Sequence, residues 1–202
     1  MTHPMSTRDE EFARIDAIER ASMGWDLDDN PQLERLPDLT PAIVPVHNIG
    51  EAKRILFYRE SDPTEVLYLV ADQYAEYPHL LSHPKARFFP LEEPYPKPEV
   101  VEALLRSILA DVASGKKVAV ACMAGVNRSA STACLVQMHM KRYHEDPACL
   151  TLDDAFTRAL KDVWRQRPIA RPMREMADTF LTVYERIRHE LPQPKEVPSR
   201  DG

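Results

Sequence analysis

The stretch KKVAVACMAGVNRSAS, Lys116 to Ser131, constrains this chain more than any other part of it. KVAVAC is a short apolar run ending in Cys122, and RSASTACLVQMHMKR reads as a helix that begins at about Arg128. Met123 to Asn127 must therefore turn the chain sharply from strand to helix. Such a turn aims consecutive backbone N–H groups into one concavity at the positive end of the helix, which suits a tetrahedral phosphate or a similar oxyanion. Gly125 allows positive φ, or a close approach of the ligand to the backbone. Arg128 adds a permanently charged, bidentate clamp that a lysine does not reproduce. The field that holds an anion also stabilises a thiolate, so Cys122 reads as a nucleophile beneath a bound phosphoryl group. The substrate-binding residues in this reading are Met123, Ala124, Gly125, Val126, Asn127 and Arg128.

Around this motif the hydrophobic pattern alternates between short β runs and amphipathic helices. AIVPV reads as a short edge strand, EVLYLVA (Glu65–Ala71) as a buried strand and ARFFPLEE (Ala86–Glu93) as another, while EAKRILFY fits either helix or strand. Val100, Val101, Leu104, Leu105, Ile108 and Val112 line one face of a helix that Gly115 ends. Helices are expected from Arg128 to about His144, from Thr151 to Arg167 with Thr151 as cap, and from Met173 to His189. Strands separated by helices predict an α/β domain: a central, mostly parallel sheet with helices on both faces, and the cysteine loop between a strand and a helix. The domain spans 41–190. Residues 1–40 read as a helical extension (a helix over 6–22) and linker, and 191–202 as a disordered tail.

The loop resembles that of the cysteine-based protein phosphatases, specifically the compact dual-specificity branch, whose pattern is His-Cys-x-x-Gly-x-x-Arg-Ser/Thr. Cys122, Gly125, Arg128 and Ser129 match it, and the resemblance runs from about Glu65 to Tyr184, including an arginine-proline turn at RPIARPM. It implies a metal-independent reaction without cofactors, in which Cys122 attacks phosphorus and water hydrolyses the phosphocysteine. Arg128 and the loop amides would stabilise the equatorial oxygens, and the Ser129 hydroxyl would bond the sulfur. An ordinary first-turn serine is the plainer reading of Ser129. Two departures stand out. Ala121 replaces the family's histidine, and the upstream segment FFPLEEPYP lacks the family's acidic aspartate. Glu93 aligns best with that acid and Glu92 is its neighbour, against a reading of both as solvated loop carboxylates.

Composition bounds the partners. A net charge of −6, with 44% hydrophobic and 29% charged residues, argues against nucleic acid or an anionic membrane as the main ligand, and the resemblance implies a phosphorylated protein or peptide as substrate. Three widely spaced cysteines and no apolar segment of spanning length predict a cytoplasmic protein. Arg165, Arg167, Arg171 and Arg174 cluster near the arginine-proline turn and could attract an anionic substrate. The functions consistent with these residues are a phosphatase of phosphotyrosine and of phosphoserine or phosphothreonine, a phosphate-binding pseudophosphatase with little turnover, or a phosphatase of phosphoinositides or RNA 5′ ends.

Overall fold

In the computed structural model the first strand, β1 (Val46–His47), enters a four-stranded sheet at its edge. The residues described are 42–59 and 61–193; the expected helix over 6–22 and residues 194–202 lie outside them. Asn48 then caps α1 (Ile49–Phe57) with a reciprocal capping box to Glu51, which resolves EAKRILFY as helix. β2 (Val66–Leu69) is followed by a short 3₁₀ turn, Asp72–Glu76, and a single helical turn, α2 (Pro78–Leu81). β3 is Ala86–Phe88. α3 (Pro98–Ala113) begins with a proline, where the missing N–H costs nothing. β4 (Val118–Ala121) leads through residues 122–127 into α4 (Arg128–Met140). α5 (Leu152–Gln166), capped by a Thr151–Asp154 box, and α6 (Arg174–Ile187) complete the α-helices among the described residues.

The strand order is β1-β4-β2-β3 and every pairing is parallel. All four residues of β2 and of β4 are buried, so both faces of the two central strands are covered and the fold is α/β. The carboxyl ends of β2 and β4 lie side by side, because Leu69 is in register with Ala121. Open parallel sheets place their sites at this edge.

Two helix expectations shift. The buried stripe of α3 is Val101, Leu104, Leu105, Ile108 and Leu109, with Val100 and Val112 only half-buried, so the face is rotated toward Leu109. α4 stops at Met140 rather than about His144, because Arg142 takes a left-handed φ of 55° and turns the chain into a 3₁₀ segment. The packed chain reaches Leu191, which is buried.

α4 is anchored at both ends. Every residue from Arg128 to His139 is buried. At its far end His139 Nε2 donates to the Pro192 carbonyl at 2.9 Å, which leaves Nδ1, 3.0 Å from the Tyr184 hydroxyl, as the acceptor. The His144 ring stacks on His139 and its Nδ1 lies 3.2 Å from the same hydroxyl. Burial is the main influence on both imidazoles and holds their pKa below the usual value. The unfolded chain therefore binds these protons more readily, and the stabilisation present above about pH 6.5 is lost as pH falls through the lower folded values. Denaturant unfolding at pH 7 and pH 5 will show this loss. In His139→Gln the loss between the two pH values is expected to be smaller, although the variant starts less stable.

Candidate active site

Residues 122–127 leave β4 at the carboxyl edge of the sheet, and each carbonyl along them has a donor. The Tyr74 hydroxyl donates to Cys122 O (3.1 Å), Ile49 N–H to Met123 O (3.2 Å), Arg167 Nη2 to Ala124 O (3.2 Å) and Arg167 Nε to Gly125 O (3.3 Å). Arg171 N–H donates to Val126 O at 2.7 Å, and Ser131 N–H to Asn127 O at 2.7 Å as the first bond of α4. In a trans peptide the N–H points opposite to the carbonyl, so tying the carbonyls to surrounding elements turns the amides toward the space the loop encloses. The Gly125 N–H reaches Cys122 Sγ at 3.2 Å, and the Ser129 hydroxyl lies 3.0 Å from the same sulfur. Cys122 is 2% exposed. Its own N–H donates to His47 O on β1.

Arg128, the first residue of α4, is almost fully buried. Its Nη1 faces three acceptors: Asp72 Oδ1 at 2.7 Å, Gln73 Oε1 at 2.8 Å and Leu91 O at 3.3 Å. Its Nε lies 3.2 Å from Glu93 Oε1, and the same oxygen accepts from Asn127 Nδ2 at 2.9 Å. Glu93 thus stands beside the loop. Glu92 points elsewhere and pairs with Lys97 Nζ at 2.8 Å. Asn127 Oδ1 accepts from Met173 N–H at 2.8 Å, so one side chain links the Glu93 segment to the α5–α6 connector.

Tyr74, Asp72 and Gln73 carry no motif in the sequence. Their signal is positional only: a polar turn directly after a buried parallel strand, at the edge where sites form. The Tyr74 phenol is fully buried, and burial pushes its pKa well above the usual range, so it remains a protonated donor. It holds the first peptide of the loop. Ala121 is fully buried and lies in register with His47 on one side and Leu69 on the other. An imidazole at 121 would have to fit where a methyl now packs.

The arginine cluster does not form a free cationic face. Arg167 is committed to the loop and to Glu51, and the Arg171 guanidinium donates to Pro168 O and Ala170 O while lying over the Trp164 ring. Arg174 pairs with Asp153 and Asp178, and Arg165 is exposed. Cys134 is fully buried on α4, where burial raises its thiol pKa well above the usual value, so it is a packing residue.

Gly125 has φ +71°, and a Cβ there would meet Arg167 Nη2 at 2.7 Å and the backbone of His47 and Asn48 at 3.0 and 3.1 Å. Gly125→Ala is therefore expected to cost about 1–3 kcal/mol of stability and to abolish oxyanion binding by the folded fraction. Thermal unfolding and tungstate titration of the variant check both effects.

No protein-family model matches the sequence, and no curated protein matches it. Solved structures do. The Yvh1 phosphatase domain from Chaetomium thermophilum superposes with a TM-score of 0.54 at 18% identity, over 74% of this chain and 96% of that one. A leucine-rich-repeat and phosphatase-domain protein from Entamoeba histolytica gives 0.52 at 12% identity, over 79% and 96%. The Cydia pomonella PTP-2 phosphatase gives 0.52 at 16% identity, over 73% and 90%. At these identities the likeness establishes the fold, which this chain shares with those phosphatase domains.

Proposed function

We propose that this protein is a cysteine-dependent phosphoric monoester hydrolase acting on phosphotyrosine, and on phosphoserine or phosphothreonine, in protein or peptide substrates. The observation that carries the reading is the convergence on one buried sulfur of a loop amide, Gly125 N–H, and the Ser129 hydroxyl, with Arg128 opening the helix behind them. A structural core cysteine has no need of either contact.

In this reading Asp72, Gln73 and Leu91 O hold Nη1 of Arg128, so the Nε–Nη2 edge of the guanidinium is presented as a fork to two equatorial oxygens of the phosphoryl group. The Cys122 thiolate attacks phosphorus while the P–O bond to the leaving group breaks. A proton from Glu93 neutralises the departing alkoxide or phenoxide, once its carboxyl swings off Arg128 to the leaving-group side. Water then attacks the phosphocysteine and releases inorganic phosphate. The returning thiolate is stabilised by Ser129 Oγ and Gly125 N–H. The resemblance also implies that no metal takes part. A phosphoprotein is favoured over a phosphoinositide or an RNA 5′ end, because the loop side chains Met123, Ala124, Val126 and Asn127 are uncharged and Arg167 is already paired. The pseudophosphatase alternative is weakened by the sulfur contacts and by a carboxylate standing at Arg128.

Hydrolysis of p-nitrophenyl phosphate in excess chelator tests the proposal. The wild type is expected to turn over and Cys122→Ser to be inactive; equal rates would remove the assignment. Arg128→Lys is expected to lose about 100-fold or more in kcat/KM, since a point charge does not reproduce the fork.

Glu93→Gln is expected to slow phenyl phosphate, a poor leaving group, by about 100-fold and p-nitrophenyl phosphate far less, while Glu92→Gln leaves that ratio unchanged. Equal slowing of both substrates in Glu93→Gln would mean that Glu93 does not supply the proton.

A further inference from the structure

Arg167 caps α5 and opens the connector to α6, and its guanidinium reaches in three directions. Nη2 donates to Ala124 O and Nε to Gly125 O, the two carbonyls at the crest of the 122–127 loop. Nη1 donates to both oxygens of Glu51, at 3.2 and 3.1 Å. Glu51 is itself fixed, because its Oε2 accepts from Asn48 N–H at 2.8 Å in the capping box of α1, and Asn48 Oδ1 accepts from Glu51 N–H in return. The carboxylate is thus tied to the start of α1 as well as to the arginine. α1 touches the loop directly as well, through Ile49 N–H on Met123 O.

We propose that Arg167, braced by Glu51, is a positioning residue that sets the peptide orientation of the phosphate loop and thereby its affinity for oxyanions, rather than a cation that contacts substrate. The proposal rests on the phosphatase reading and adds to it a residue outside the loop motif. The physics is the coupling within each peptide plane. Pulling the Ala124 and Gly125 carbonyls to one side sends the N–H groups of Gly125 and Val126, which belong to the same two peptides, to the other. Gly125 N–H ends 3.2 Å from Cys122 Sγ. The guanidinium also packs where any Cβ at position 125 would stand, at 2.7 Å, so the glycine and the arginine specify each other. A lysine has one donor centre and cannot span two carbonyls and a carboxylate at once.

The same arrangement rules on the acidic partner. Glu51 is lowered in pKa against the opposing effect of burial, by the Asn48 backbone bond and then by Arg167, so it stays charged and the brace persists across neutral pH. His47 Nδ1, 3.8 Å from Glu51 Oε2, also faces this carboxylate.

The test compares wild type, Arg167→Met, Arg167→Lys and Glu51→Gln. Each is measured for tungstate affinity by calorimetry, for kcat and KM with p-nitrophenyl phosphate, and for thermal unfolding. Arg167→Met is expected to bind tungstate about 10-fold more weakly and to lose about 10- to 100-fold in kcat/KM, with the loss in both binding and turnover. Arg167→Lys is expected to resemble Arg167→Met. Glu51→Gln is expected to move the same way by less, and the Glu51→Gln/Arg167→Met double variant to be little worse than Arg167→Met alone. A role confined to stability would lower the melting temperature and leave the tungstate affinity of the folded protein unchanged, which overturns the proposal. Wild-type affinity in Arg167→Lys overturns it too, since charge alone would then suffice. If Arg167→Met does not fold, Arg167→Lys and Glu51→Gln carry the same comparison. A wild type that neither binds tungstate nor hydrolyses the ester would sink the phosphatase reading itself, whereas an active wild type with an indifferent Arg167 sinks only this inference.

Discussion

A peptide plane cannot point its carbonyl and its amide in the same direction, and the site of this protein depends on that constraint. From Cys122 to Val126, five successive carbonyls are held by donors that lie far away in sequence: Tyr74 after β2, Ile49 at the start of α1, Arg167 and Arg171 in the α5–α6 connector. The sixth, on Asn127, begins α4. Concave amide cradles are easy to write into a short sequence, yet fixing one requires that every carbonyl be satisfied on the outer side. Here the fold supplies those donors, which is why the cysteine loop sits where the sheet edge, α1 and the α5–α6 connector meet.

Electrostatics follow from the same layout. A buried guanidinium is costly unless its donors are used, and Arg128 spends Nη1 on Asp72, Gln73 and Leu91 O. Half-exposed Asp72 thus fixes the plane of the arginine from behind. Glu93 lies against Nε at 3.2 Å, so a carboxylate stands at one arm of the guanidinium. In the proposed reaction an entering phosphate replaces one anion by another, and the displaced carboxyl is left beside the leaving group, where an acid is useful.

Much of this was legible in the sequence, for physical reasons that differ from element to element. β4 and the start of α4 were clear because a short apolar run and a helix-compatible stretch flank the spaced Cys122, Gly125 and Arg128. The α3 stripe was displaced by part of a turn because Val100 and Leu109 are equally apolar and only packing chooses between them. α4 was read too long because Arg142 adopts positive φ, which its residue type does not announce. Tyr74, Asp72 and Glu51 were invisible beside the loop, since contacts between residues 48, 56 or 116 positions apart leave no local pattern. The arginine cluster at 165–174 was visible but its use was not. Two of its guanidinium groups turn inward to carbonyls, and only the fold shows which way they point.

The central claim is that sulfur, cradled by these amides, takes the phosphoryl group. Rapid acid quench of the protein with a ³²P-labelled phosphotyrosyl peptide, followed by proteolysis and mass spectrometry, tests it directly. The account predicts label on the peptide containing Cys122, as an acid-stable phosphothioester that accumulates and decays on the timescale of turnover. Turnover without label on Cys122, or with label on another residue, would contradict it.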